Sequence, residues 1–247
     1  MNVLLDVKGL WKRFGGVVAT AGVDLALRAG ELHALIGPNG AGKTTLVAQL
    51  AGQLAADRGR IVFDGDDITR LVAHQRARRG LVRSFQITRL FGSLDVQGNV
   101  ALAMQAHEAG GLSPWRAVAA DRDLDARAAA LLTELGLADR AHARVDAISH
   151  GEQRALEVAL ALAGAPRLLL LDEPMAGLGP DESRRMEALI GRVRERATLL
   201  LIEHDVDAVF RLADRVSVLV AGQVIASGAP AEVRREARVV EAYLGAA

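Results

Sequence analysis

Between an apolar run that reads as a strand, ELHALIG, and a run with helical spacing, TTLVAQLAGQL, the chain places GPNGAGKT at residues 37–44. No other stretch restricts the fold so strongly. It fits G-x-x-x-x-G-K-[ST] in the strand–loop–helix setting that this pattern requires. The glycines let the backbone curl so that successive N–H groups point inward at phosphate oxygens, and the helix opening near Lys43 adds its positive end. Lys43 is conspicuous for a second reason. Of the 30 basic residues, only Lys8, Lys12 and Lys43 are lysine. A compact, flexible ammonium suits the slot between β- and γ-phosphates better than a wide planar guanidinium. Gly37, Pro38, Asn39, Gly40, Ala41, Gly42, Lys43, Thr44 and Thr45 thus form the candidate nucleotide-binding segment, with the Thr44 hydroxyl placed for Mg²⁺.

RLLLLDEP, ending at Pro174, supplies a second half to such a site. An acid at the exit of a buried strand is costly unless it meets a cation or solvent. Asp172 is therefore a candidate to hold Mg²⁺ through water, and Glu173 to orient and polarise an attacking water. Taken without the phosphate loop, the two carboxylates read equally well as caps of the turn before Pro174.

The bulk composition restricts the rest. Basic and acidic residues balance at 30 each, which gives no global pull toward nucleic acid or acidic lipid. HQRARRGLVR, from His74, is the one basic cluster and reads as a solvated helix face leading into a strand. With no cysteine, disulfides and thiolate metal sites are excluded. The N-terminus lacks the pattern of a signal peptide, and the most apolar stretch, from Ala155, is broken by Glu157, Gly164, Pro166 and Arg167. A soluble cytoplasmic protein is expected.

Strand-like runs fill the first third: LLDVKGL, VVATAGVDLAL, and GRIVFDGDDI after the phosphate loop. From about Asn99 to Leu162 the chain is rich in alanine and arginine with helical periodicity. Strands and helices then alternate through RLLLLDE, ESRRMEALIGRVRE, TLLLIEHD and RVSVLVAGQVIASG, with a closing helix from about Pro230. LLLLDE and TLLLIEH are continuous apolar runs, as expected of central strands covered on both faces. The expected fold is α/β, a mostly parallel sheet with an inserted all-helical subdomain.

Three further segments, SFQ at Ser84–Gln86, ISHGEQ at Ile148–Gln153 and LLLIEHD with His204, join GPNGAGKT and LLLLDEP in an order that resembles the ATP-binding subunits of ATP-binding-cassette (ABC) transporters. The resemblance covers essentially the whole chain. It implies a P-loop NTPase (RecA-like) parallel-sheet core with an N-terminal antiparallel β subdomain. Residues 1–247 would form a single domain with the helical subdomain at about 88–163. It also implies roles. Phe14, otherwise readable as an ordinary core phenylalanine, matches the aromatic that stacks on adenine. Gln86 matches the glutamine that reaches Mg²⁺, and His204 the histidine that contacts the γ-phosphate. Glu173 and His204 are then the catalytic pair. Ser149, His150 and Gly151 match the signature loop, which acts across a dimer on the ATP held by the opposite subunit. Two departures stand out: His150 and Glu152 replace a glycine and a glutamine of the usual signature, and Gly179 stands where many relatives carry aspartate or asparagine. Two copies, or one copy and a paralogue, would sandwich two ATP molecules head to tail.

RSFQITRLF, the GGLSPW insert, EQRALEVALALA, the AGLGP loop and the ending at EAYLG resemble the importers of branched-chain amino acids and related amides. Such a subunit sits in the cytoplasm on the inner face of the cell membrane, held there by transmembrane permease subunits. Gln86–Phe91 is the candidate permease contact, through an exposed Leu90–Phe91 pair, unless both side chains pack into the helical subdomain. The rival readings are the ATPase of a lipid or lipopolysaccharide exporter, a soluble ABC ATPase acting on nucleic acid or ribosomes, and a non-hydrolysing regulatory subunit. No nucleic-acid partner is expected.

Overall fold

The computed structural model describes residues 2–84, 90–108 and 122–244. Two long strands open the chain, β1 (Val3–Phe14) and β2 (Val17–Arg28), paired antiparallel. Their period-2 pattern buries Leu5, Val7 and Leu10 from β1 and Val23, Leu25 and Leu27 from β2 on one face. β4 (Arg58–Phe63) and β5 (Asp66–Asp67) extend this sheet to the order β2-β1-β4-β5.

The second sheet is built from β3 (Leu32–Ile36), β6 (Leu81–Arg83), β7 (Leu168–Asp172), β8 (Thr198–Ile202), β9 (Arg215–Val220) and β10 (Gln223–Gly228), in the order β10-β9-β3-β8-β7-β6. All its neighbours run parallel except the β9–β10 hairpin. Every residue of β3, β7 and β8 is buried, as their unbroken apolar runs require. Leu169, Leu171, Leu199 and Leu201 enter one core, and Leu168, Leu170, Leu200 and Ile202 the other. At about 2 kcal/mol for each buried leucine, these two strands anchor both sides of the molecule.

The first core is closed by α3 (Val96–Glu108), α4 (Arg122–Leu135) and α5 (His150–Leu162), which lie between β6 and β7 in sequence, and by α6 (Pro180–Val193). The second is closed by α1 (Lys43–Leu50) and the antiparallel sheet. This is the α/β class that the sequence indicates, with the N-terminal antiparallel sheet of the P-loop fold. The exits of β3, β7 and β8 share the carboxyl edge of the parallel sheet, where ligands of open α/β sheets bind.

Two details differ from expectation. The closing segment is two short helices, α8 (Pro230–Val233) and α9 (Ala237–Leu244), because the chain turns between them to bury both Val233 and Val239 against β9 and α7 (Val206–Leu212). The basic segment is not simply a solvated face. It forms α2 (Ala73–Arg78), and Arg76 is 2% exposed. Its guanidinium donates to the carbonyls of Gln49 at 2.8 Å, Leu50 at 2.7 Å, Leu71 at 2.8 Å and Thr69 at 3.1 Å. A buried cation thus satisfies the last carbonyls of α1. Burial pulls its pKa down to about 10.

Candidate nucleotide site

The loop after β3 is clasped by backbone on two sides. A Cβ on Gly37 would stand 2.0 Å from the Leu219 carbonyl oxygen of β9, and one on Gly42 would stand 2.0 Å from the Ala19 carbonyl oxygen of β2. Gly42 is also left-handed, with φ 102°, so both space and conformation demand glycine there. The Gly222 N–H, in the β9–β10 turn, donates to the Ala41 carbonyl at 2.9 Å. Lys43 folds back over the loop, donating from Nζ to the carbonyls of Gly37 at 2.6 Å and Pro38 at 3.0 Å. Burial pulls the Lys43 ammonium below its ordinary value of 10.5, with Glu173 and Asp172 opposing in part. Among the described residues no side chain caps the start of α1, so its first-turn N–H groups face the cleft as donors for an anion.

Asp172 ends β7 with its side chain 1% exposed. Oδ2 accepts from Arg83 Nη2 at 2.5 Å, while Oδ1 is buried with no partner among the described residues. Glu173, the next residue, sits in the left-handed region at φ 51°. Its N–H donates to the Ile202 carbonyl at 2.9 Å and its carbonyl accepts from Ala176 at 3.1 Å, which holds this uncommon conformation in place. The turn aims its carboxylate at His204 beyond β8, with Oε1 2.6 Å from Nε2. Lys43, Thr44, Glu173 and His204 line one cleft of about 250 Å³, together with Val17 and Val18 of β2.

Glu203 supports this pair and escaped the sequence reading. It is 3% exposed, and its carboxylate accepts the N–H of Met175 at 2.8 Å and of His204 at 3.1 Å. One carboxylate therefore ties the loop after Glu173 to the loop carrying His204. Burial pushes its pKa above 4.5, and nearby Glu173 adds to the rise. Like Asp172, Glu203 is an acid at the exit of a buried apolar strand, and that pattern marks it in the sequence.

The remaining expected residues are distributed around this cleft or away from it. Phe14 does not enter the core. It is 48% exposed at the end of β1, with the Lys12 ammonium 5.6 Å from its ring centre. Gln86 lies outside the described residues. The Leu90–Phe91 pair splits, since Leu90 packs on the helical core whereas Phe91 is 54% exposed. Ser149, His150 and Gly151 open α5 away from the cleft; Ser149 and Gly151 line a separate groove of about 490 Å³. Ser149 and Glu152 form a reciprocal cap. Ser149 Oγ accepts from the Glu152 N–H at 3.2 Å, and Glu152 Oε2 accepts from the Ser149 N–H at 2.8 Å. Arg140 donates to Glu152 at 2.6 Å. Gly179 is the N-cap of α6, and its N–H donates to Glu182 at 3.4 Å.

A glycine-clasped loop opening a helix at the carboxyl edge of a parallel sheet, facing an acid pair and a histidine, defines the class of P-loop nucleotide-hydrolysing proteins. Comparison with known proteins narrows this. The ABC transporter family model matches residues 20–176, and a model described as branched-chain amino acid ATP-binding cassette transporter matches residues 223–247. The chain belongs to the ABC transporter family, as one of its ATPase cassettes. It is 38% identical over 251 residues to the high-affinity branched-chain amino acid transport ATP-binding protein BraF of Pseudomonas aeruginosa. It is 40% identical over 252 residues to the corresponding protein LivG of Salmonella typhimurium. Each alignment covers 99% of this chain and 98% of the relative. A crystal structure of an ATP-binding cassette of an ABC transporter in its ADP conformation superposes with a TM-score of 0.87 at 28% identity, covering 99% of this chain and 100% of that one.

Proposed function

We propose that this chain is the ATP-hydrolysing subunit of an importer for branched-chain amino acids or related amides, and that it works as a pair of cassettes around two ATP molecules. The observation that carries the reading is the 2.6 Å Glu173–His204 pair set across one cleft from the Lys43 loop. The curated relatives, matched over nearly their whole length, carry the cargo assignment.

In this reading residues 1–247 act as one ATP-binding domain, with the helical subdomain at about 88–163. Apart from Pro38, which has no N–H, and Ala41, whose N–H donates to the Pro38 carbonyl at 3.2 Å, the N–H groups of residues 37–45 hold the β- and γ-phosphates with the Lys43 ammonium, while Phe14 and the exposed Val17–Val18 edge receive the adenine. Glu173 accepts a proton from the attacking water, and His204 fixes that carboxylate and reaches the γ-phosphate. Thr44, Asp172 and Gln86 would hold Mg²⁺, which would neutralise charge on the phosphates. The partnerless, buried Oδ1 of Asp172 fits that ion. The described residues contain no cluster of three or more ligating side chains, which suits an ion shared with substrate phosphates. Ser149, His150 and Gly151 act on the ATP of the second cassette, a twin or a paralogue. Transmembrane permeases dock near Gln86–Phe91 and hold the subunit at the inner face of the cell membrane. Among the described residues no helix is long and apolar enough to cross a membrane.

Two assays test this. Purified protein should hydrolyse ATP, and Glu173→Gln should slow hydrolysis by about 10²–10⁴-fold while ATP binding persists. Cells carrying Lys43→Ala should lose uptake of branched-chain amino acids. Undiminished hydrolysis by the first variant contradicts the role of Glu173, and normal uptake in the second contradicts the cargo.

A further inference from the structure

The signature loop already holds an anion, and that anion belongs to the chain itself. Glu182, in the first turn of α6, places Oε1 3.3 Å from Ser149 Oγ and 3.3 Å from the Gly151 nitrogen. These two donors belong to the segment that the paired-cassette reading turns toward the second ATP, where a hydroxyl and an N–H at a helix start suit its γ-phosphate. Glu182 Oε2 meanwhile accepts the N–H of Gly179, in the loop that follows the catalytic acid. The carboxylate is packed tightly on the loop: a Cβ on Gly151 would lie 2.7 Å from Oε1.

Hydrogen counting makes the contacts exclusive. A serine hydroxyl has one proton to donate. Ser149 Oγ already accepts from Glu152, and its single proton faces Glu182. The Gly151 amide likewise has one hydrogen. A γ-phosphate oxygen cannot take either proton until Glu182 lets it go, and a carboxylate left in place would repel the incoming charge. We infer that Glu182 is a positioning residue that occupies the trans phosphate seat in the separated cassette and sets the ATP threshold at which two cassettes close. Closing exchanges one anion for another on the same donors, so the net gain from signature-loop contacts is smaller than a count of phosphate hydrogen bonds suggests. Because Glu182 also holds the Gly179 N–H, its departure frees the loop after Glu173 at the same moment.

This inference rests on the paired-cassette reading, and the experiment separates the two. Glu182→Gln is made on a Glu173→Gln background, and dimer formation is followed by size while Mg-ATP is titrated. The amide keeps a carbonyl oxygen for the Gly179 cap but removes the charge. The midpoint should fall about tenfold, the equivalent of about 1.4 kcal/mol, with the melting temperature of the ATP-free protein unchanged. Hydrogen exchange of the Gly151 amide, measured without nucleotide, should speed up in the variant. If Glu182 merely braced the loop for phosphate binding, the midpoint would rise, which overturns the inference. An unchanged midpoint with an unchanged Gly151 exchange rate overturns it as well. Failure of the Glu173→Gln parent itself to dimerise contradicts the paired reading, and the inference falls with it. Adding Ser149→Ala checks the route: without the hydroxyl, most of the gain from Glu182→Gln should disappear.

Discussion

The loops that open α1 and α5, to which the proposed function gives the phosphates of two ATP molecules, are constructed on opposite plans. The loop of residues 37–44 is held from outside by backbone, with carbonyls of β2 and β9 against its glycines and Gly222 bonded to Ala41, and Lys43 bonded to its own carbonyls. The donors at its helix start are left without a side-chain cap among the described residues. The loop of residues 149–151 is held by side chains, and its donors are engaged by Glu152 and Glu182. The first would bind mainly through backbone donors whose ordering cost is met in folding, and only Lys43 would have to turn from its own carbonyls. The second must exchange partners before it can bind. On the paired-cassette proposal, a subunit built this way would take up ATP on its own loop readily and commit to the second contact only when two nucleotide-loaded copies meet.

The widest gap between the loops should appear on adding one methyl group to each. Gly42→Ala forces a Cβ against the immovable Ala19 carbonyl at a left-handed position, and should weaken ATP binding by about a hundredfold or more. In Gly151→Ala the methyl meets only the mobile end of Glu182, so ATP binding by the separated subunit should stay within about twofold of wild type. Binding of a fluorescent ATP analogue reads both. Equal losses would erase the distinction between the two loops.

A smaller effect concerns what holds the first loop's helix. Arg76→Met keeps bulk but strands the carbonyls of Gln49, Leu50, Leu71 and Thr69. It should cost about 3 kcal/mol, read as a fall in melting temperature of roughly 6–12 °C for a chain of this size. An unchanged melting temperature would mean that those carbonyls find water instead.

The smallest effect is a titration. With Lys8, Lys12 and Lys43 as the only lysines, ¹³C NMR of the side-chain methylenes resolves each. Lys43 should titrate below 10.5 in the nucleotide-free protein, where burial disfavours its charge, and move upward when ATP supplies phosphate oxygens. A pKa raised by the ligand means proton uptake on binding, so ATP affinity should fall as pH climbs through that window. An unmoved Lys43 would place its ammonium away from the phosphates.

How much of this was legible in the sequence follows from where each partner lies along the chain. The phosphate loop, Asp172, Glu173 and His204 stand in local patterns whose flanking strands and helices are equally local, and the parallel sheet brings them to one cleft. Arg76 was misjudged because its partners are backbone carbonyls, which leave no mark in a sequence; a basic run looks the same whether it faces water or a helix end. Glu203 hid inside a motif whose histidine drew attention. Glu182 has capping-box spacing to Gly179, but its contacts with Ser149 and Gly151 span more than 30 residues and depend on how α5 and α6 meet. Leu90 and Phe91 are adjacent and equally apolar, and only the packing of α3–α5 separates the buried one from the exposed one.

The most direct test of the paired-cassette account is the size of Glu173→Gln in solution with and without Mg-ATP. The account predicts a monomer without nucleotide and a dimer with it, formed only at higher ATP concentration once Ser149→Ala is added. A variant that binds ATP tightly yet stays monomeric would contradict the pairing of two identical copies.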